Sequence, residues 1–173
     1  IGPEVSLIAS LAFLREQANA QITLLGDEEL FPAFNSIAPE LLERLQFQPI
    51  SLGATVTPGL LSIDNAPYVI NQLNHAIDGC KQGRYDAMVT APLQKSIIND
   101  AGTPFSGHTE YLAQRCNSSH VVMMLCAPLP TGFLNLPVSR DLRVALATTH
   151  MPIKEVPGSL TEQLVLETIQ IVH

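Results

Sequence analysis

No apolar run in this chain of 173 residues reaches the roughly 18 residues needed to cross a bilayer, and no signal-peptide pattern opens it. Cysteine is scarce. Cys80, Cys116 and Cys126 are odd in number, far apart and form no CxxC pair, so reduced thiols in a cytoplasmic protein are expected. Basic residues are few as well: 9 Lys and Arg face 16 Asp and Glu, for a formal charge of -7. No Lys/Arg cluster interrupts that balance, which argues against a nucleic-acid surface. The common nucleotide-binding loops, GxGxxG and GxxxxGK[ST], are both missing, as is the HExxH spacing of a helix-borne metal pair.

What is present is a core. Apolar residues make up 46% of the chain and charged residues 14%, the balance of a folded globular protein with room for one ordinary domain or two small lobes. Helical and strand-like segments alternate without an internal repeat, which predicts an α/β fold with a largely parallel sheet. Pro3 and Glu4 suit a helix start, and Val5, Ile8, Leu11 and Ala12 predict its buried stripe. Ile22 to Leu25 reads as a strand closed by Gly26-Asp27, and Leu30 to Phe34 as a short helix interrupted near Pro32. Phe47 to Leu52 reads as an edge strand because of Pro49. Asn65 is expected to cap a long helix that Gly83 ends. Ala87-Met88-Val89 marks a buried strand within Asp86 to Thr90. A short helix through Ile97 and Ile98 is closed by Gly102, and His108 or Thr109 opens the next. Val121 to Cys126 is the most apolar strand, and Pro128 to Pro137 an irregular excursion.

Three stretches carry polar chemistry. Val144 to Ala147 is a strand that runs into Thr148-Thr149-His150-Met151-Pro152. Pro152 has no N–H to continue a ladder, so His150 is expected at the carboxyl edge of the sheet, where open α/β folds bind ligands. A neutral imidazole there is a candidate metal ligand, against the alternative of a hydrogen-bonded loop histidine. Ser106-Gly107-His108-Thr109-Glu110 joins a glycine that permits close backbone approach to a helix start whose free N–H groups suit an anion. Simple capping is the competing account. Lys95 stands at another helix start, in Thr90-Ala91-Pro92-Leu93-Gln94-Lys95, either as a surface lysine or near a phosphate or carboxylate. His75 and His120 read as structural or solvent-facing, and His173, at the end of a helical pattern, carries no independent signal.

In order, IGPE, TAPLQKSIINDAG, PFSGHTEYLA, VVMML and LRVALATTHMP resemble the 4-hydroxythreonine-4-phosphate dehydrogenases, the PdxA family of vitamin B6 biosynthesis. The resemblance implies two α/β/α lobes like those of isocitrate and isopropylmalate dehydrogenases, in a homodimer with a shared active site. It implies NAD or NADP as oxidant, a divalent metal (zinc, magnesium or cobalt) and a small phosphorylated substrate. It assigns His108 and Thr109 to substrate binding and His150 to the first of three metal histidines, and it leaves Lys95 without a role. The front lacks the family's Gly-rich segment, and Pro128 to Asp141 is longer than the family's usual connection. The chain begins without Met and closes on an amphipathic pattern, Leu164 to His173, with no stop signal. Residues 1–173 are therefore expected to be the N-terminal and central part of a two-lobed dehydrogenase, the C-terminal lobe being absent. The alternatives in view are a related dehydrogenase of threonate or erythronate 4-phosphate and a phosphotransacetylase-like acyl transferase.

Overall fold

A computed structural model describes residues 3–135, 137, 140–148 and 151–173. The chain divides into two compact units, Ile1–His108 and Thr109–His173.

The first unit is built on helix α1 (Glu4–Glu16), strand β1 (Ile22–Gly26) and strand β2 (Leu45–Pro49). Glu4 in the first turn and Arg15 in the last complement the helix dipole. The buried face of α1 is set by Leu7 and Leu14, and of the expected stripe only Leu11 packs against that core. Val5 is 47% and Ile8 65% exposed. The helix is apolar around much of its circumference, so periodicity alone does not choose which side meets the sheet.

β1 and β2 pair in parallel, from Ile22 opposite Leu45 to Gly26 opposite Pro49. Parallel strands need a crossover, here two 3-10 turns, Glu28–Leu30 and Pro32–Ser36, followed by the one-turn helix α2 (Pro39–Leu42). Leu7, Leu14, Leu24, Phe31, Leu41 and Leu45 form the core, and Phe47 meets the Phe31 and Phe34 rings at 5.7 and 5.3 Å between centroids. The Arg44 guanidinium donates to Leu14 O and Gln17 O, both at 2.8 Å. Leu14 O is one of the carbonyls that a helix end leaves without an intrahelical partner, and Gln17 O, just past the helix, also accepts from Ala20 N.

The carboxyl edge of this pair is stitched by side chains. Asp27 accepts from Glu29 N at 3.1 Å and Leu52 N at 2.8 Å. The Tyr68 hydroxyl accepts from Asp27 N at 3.2 Å and from Gln72 Nε2 at 3.1 Å. Burial, above all, raises the Tyr68 phenol above its ordinary range. Tyr68 belongs to helix α3 (Ala66–Lys81). Asn65 precedes α3 without capping it: its side-chain Oδ1 instead accepts from Gly53 N and Ala54 N. Pro67 in the first turn needs no such cap for its missing N–H. Gly83, at φ +70°, ends the helix with Arg84 N bonded to Gly79 O and Gly83 N to Cys80 O, a left-handed C-terminal motif.

The expected strand across Asp86 to Thr90 is not formed. Residues 86–94 carry no regular structure, and Val89 is 100% exposed. A strand exists only through its ladder, and among the described residues β1 pairs with β2 alone. Helix α4 (Lys95–Asp100) follows, and helix α5 (His108–Cys116) starts where the first unit ends.

In the second unit, strands β3 (Met123–Leu129) and β4 (Arg140–Leu146) pair antiparallel, Met123 opposite Leu146 and Leu129 opposite Arg140. The excursion expected from Pro128 to Pro137 is thus partly strand, and its remainder joins the two arms of a hairpin. The expected strands, Val121 to Cys126 and Val144 to Ala147, overlap only the ends of the arms away from the connection, and both strands extend further toward it. The expectation of a largely parallel sheet holds for β1–β2 and fails for β3–β4, because a direct connection of this length returns the chain alongside itself. Helix α6 (Val156–Ser159) and helix α7 (Glu162–Val172) close the unit. Thr161 caps α7 by accepting from Leu164 N at 3.1 Å. With helices and strands in both units, the chain is mixed α/β. Among the described residues no helix is long and apolar enough to cross a membrane, and Cys80, Cys116 and Cys126 are free thiols.

Candidate substrate site

The segment from α4 to the start of α5 carries Lys95 and His108 within the first unit, and Thr109 follows as the first residue of the second. α4 begins at Lys95 and ends in a left-handed motif like that of α3. Gly102 lies at φ +87°, Gly102 N bonds Asn99 O at 2.9 Å and Thr103 N bonds Ile98 O at 3.2 Å. Ile98 and Phe105 are buried at 2% and 4% exposure and anchor the turn from below. The Asn99 amide then holds the next segment. Its nitrogen donates to Lys95 O and to Phe105 O, both at 2.8 Å, and its oxygen accepts from Phe105 N at 2.9 Å. Three residues on, the Phe105 ring meets the His108 imidazole edge-on, at 6.0 Å between centroids and 83° between planes.

His108 and Thr109 are the first two residues of α5, where backbone N–H groups lack partners within the helix. His108 Nε2 is buried and has no hydrogen-bond partner. Burial first, and the Lys95 charge second, hold the imidazole below its ordinary pKa of 6.5. A neutral ring offers one N–H donor and one acceptor nitrogen. Chemically, the site presents that ring, a lysine whose field reaches it, and a helix start: a set suited to a small anion.

His150, the expected metal ligand, lies outside the described residues. Among the described residues no group of three His, Cys, Asp or Glu side chains is placed to hold a metal ion, so these residues alone do not build a metal centre. His75 sits within α3, its buried Nε2 likewise without a hydrogen-bond partner among the described residues, and His120 faces Thr168 of α7 at 3.4 Å. Sequence reasoning missed Asn99. The available signal was an asparagine in the last turn of a short helix, a residue type that favours side-chain bonds to nearby backbone over helix interior.

A family model described as pyridoxal phosphate biosynthetic protein PdxA matches residues 4–173. The chain belongs to the PdxA family. Proteins named 4-hydroxythreonine-4-phosphate dehydrogenase are similar to it along its length. That of Ralstonia nicotianae is 43% identical, covering 100% of this chain and 54% of the relative. That of Burkholderia vietnamiensis is 45% identical over 99% of the chain and 51% of the relative, and that of Cupriavidus pinatubonensis 40% identical over 99% and 52%. The chain spans about half the length of these curated relatives. Two of the stretches that resemble PdxA proteins, TAPLQK and PFSGHTE, thus lead into successive helices of this chain, one beginning at Lys95 and the other at His108.

Proposed function

We propose that the protein is a 4-hydroxythreonine-4-phosphate dehydrogenase that uses NAD or NADP in pyridoxal phosphate biosynthesis. The observation that carries this reading is the similarity of essentially the whole chain, at 40–45% identity, to relatives of that name. In the reaction, hydride leaves the secondary alcohol carbon of 4-phosphohydroxy-L-threonine for the nicotinamide, and the hydroxyl proton leaves to a base or solvent. The 3-keto acid then loses CO2. The electron pair of the broken C–C bond is delocalised into the adjacent carbonyl, and protonation gives 3-amino-2-oxopropyl phosphate.

In this reading His108 and Thr109 bind the substrate, their backbone N–H groups facing its phosphate or carboxylate. The open Nε2 of His108 supports the assignment, because a buried ring nitrogen without a partner is costly unless a ligand supplies one. Family resemblance adds a divalent metal at His150, a two-lobed fold of the isocitrate dehydrogenase type, a homodimer with a shared site and a cytoplasmic location.

The test is to assay the full-length protein with NAD+ or NADP+, divalent metals and either 4-phosphohydroxy-L-threonine or threonate and erythronate 4-phosphates, and separately with acetyl phosphate and coenzyme A. Turnover of the amino acid substrate with CO2 release is expected. Preference for the sugar acids, or acyl transfer without oxidation, overturns the reading. Removing the His108 imidazole or the Thr109 hydroxyl should raise KM by about ten- to a hundredfold, the worth of one side-chain hydrogen bond to a charged group added to those of the backbone, with metal content unchanged. Lost metal at constant KM would reverse the division of roles.

A further inference from the structure

We infer that Asn99 is a positioning residue that fixes His108 through the backbone of Phe105. This rests on the reading of His108 as a substrate-binding group. An asparagine amide carries two donors and one acceptor oxygen, and all are engaged: the nitrogen on Lys95 O and Phe105 O, the oxygen on Phe105 N. The two bonds to Phe105 match both polar groups of one peptide residue, so they fix its orientation as well as its distance. Aspartate has no donors, glutamine is one methylene longer, and leucine has the shape without the polarity. No other side chain of this length makes the same set.

The clamp matters because of what it joins. Its third bond reaches the first residue of α4, and only Ser106 and Gly107 separate Phe105 from the first residue of α5. One amide therefore ties the starts of two helices, Lys95 at one and His108 at the other. The buried Phe105 ring, edge-on to the imidazole, carries the constraint from backbone to side chain. Gly107 adds no side chain of its own. Without the clamp, the turn closed by Gly102 would still end α4, but residues 103–107 would lose the bonds that set where α5 begins.

The experiment compares wild type, Asn99→Ala, Asn99→Asp and His108→Ala in the full-length enzyme. Asn99→Ala should raise KM for the phosphorylated substrate by about tenfold or more, the scale of an ångström-level misplacement, and change kcat less. Asn99→Asp keeps the size and the acceptor for Phe105 N but turns its second oxygen on the Lys95 and Phe105 carbonyls, so it should raise KM at least as much as alanine, which provides a second variant should alanine fail to fold. The direct readout is the His108 ring signal in NMR of histidine-labelled protein, assigned by its loss in His108→Ala. Proximity to the Phe105 ring shifts that signal, and Asn99→Ala or Asn99→Asp should move it toward its free-histidine position. An unmoved His108 signal in a folded variant overturns the inference whatever the kinetics. If His108→Ala raises KM and the Asn99 variants do not, the inference also fails. If His108→Ala leaves KM unchanged, the substrate reading fails instead, and the NMR shift alone then decides whether Asn99 positions the ring.

Discussion

The two units treat apolar surface in opposite ways. In the first, Leu7, Leu14, Leu24, Phe31, Leu41 and Leu45 close a core around a parallel strand pair, and Leu73, Ile77 and Ile98 are buried further along. In the second, the only buried residue among those described is polar, Thr168, at 6%. Leu125, Leu142 and Val144 stand 42–59% exposed on the β3–β4 hairpin, and Val165, Leu166 and Ile169 stand 43–53% exposed on α7. A two-stranded hairpin is marginal in water unless something packs on it. The first unit therefore draws its stability from its own core, whereas the second leaves most of its apolar side chains exposed.

The largest expected effect concerns activity. The described residues contain no cluster of three metal-ligating side chains, and a catalytic metal site typically has about three protein ligands. The 173-residue chain assayed alone, with NAD+, NADP+, a divalent metal and the phosphorylated hydroxythreonine, should show no turnover. In the full-length protein His150→Ala should abolish metal-dependent turnover while leaving the circular dichroism spectrum unchanged. Metal-dependent turnover by the segment alone would mean that its site is self-contained.

Next in size is the contrast in stability. Leu14, fully buried, should cost about 2–5 kcal/mol when cut to alanine, through lost burial and the cavity left behind. Leu125, 59% exposed, should cost no more than about 0.5 kcal/mol in the isolated chain. Urea unfolding of both variants measures the difference. Repeating Leu125→Ala in the full-length protein sharpens it: a cost there approaching that of Leu14→Ala would show that the hairpin face is covered in the larger protein.

The same division explains what could be read from sequence. Signals confined to a few residues were legible: Gly83 and Gly102 as helix ends, the break near Pro32 (though it separates two 3-10 turns where one short helix was expected), and the α5 start at His108. Each depends on backbone conformation or capping within one turn of chain. Pairing depends on residues far apart. Ala87-Met88-Val89 has strand composition and no ladder among the described residues, and Pro128 reads as a breaker although it lies within β3 opposite Asp141. The buried side of α1 was equally hidden, since Leu7 and Val5 differ in surroundings and hardly in chemistry. Within the candidate site, His108 and Thr109 were visible by residue type and motif. Asn99 was not, because its role lies in a backbone contact six residues downstream.

The smallest expected effect is electrostatic and belongs to the well-packed unit. Burial first and Lys95 second hold the folded-state pKa of His108 below 6.5. Above that value the ring is neutral in both folded and unfolded chains and contributes no pH dependence. As the pH falls below 6.5 the unfolded chain takes up a proton that the folded ring resists, so stability falls until the folded pKa is reached. His108→Asn should remove this part of the acid sensitivity between about pH 7 and pH 5, as read from urea midpoints across that range. Lys95→Met should raise the His108 pKa in an NMR titration yet leave it below 6.5, because burial, the larger cause, remains. Inorganic phosphate should raise it further in wild type, since an anion beside the ring favours the imidazolium. Full recovery to 6.5 in Lys95→Met would make the lysine the dominant cause, and no change at all would remove Lys95 from the electrostatics of this site.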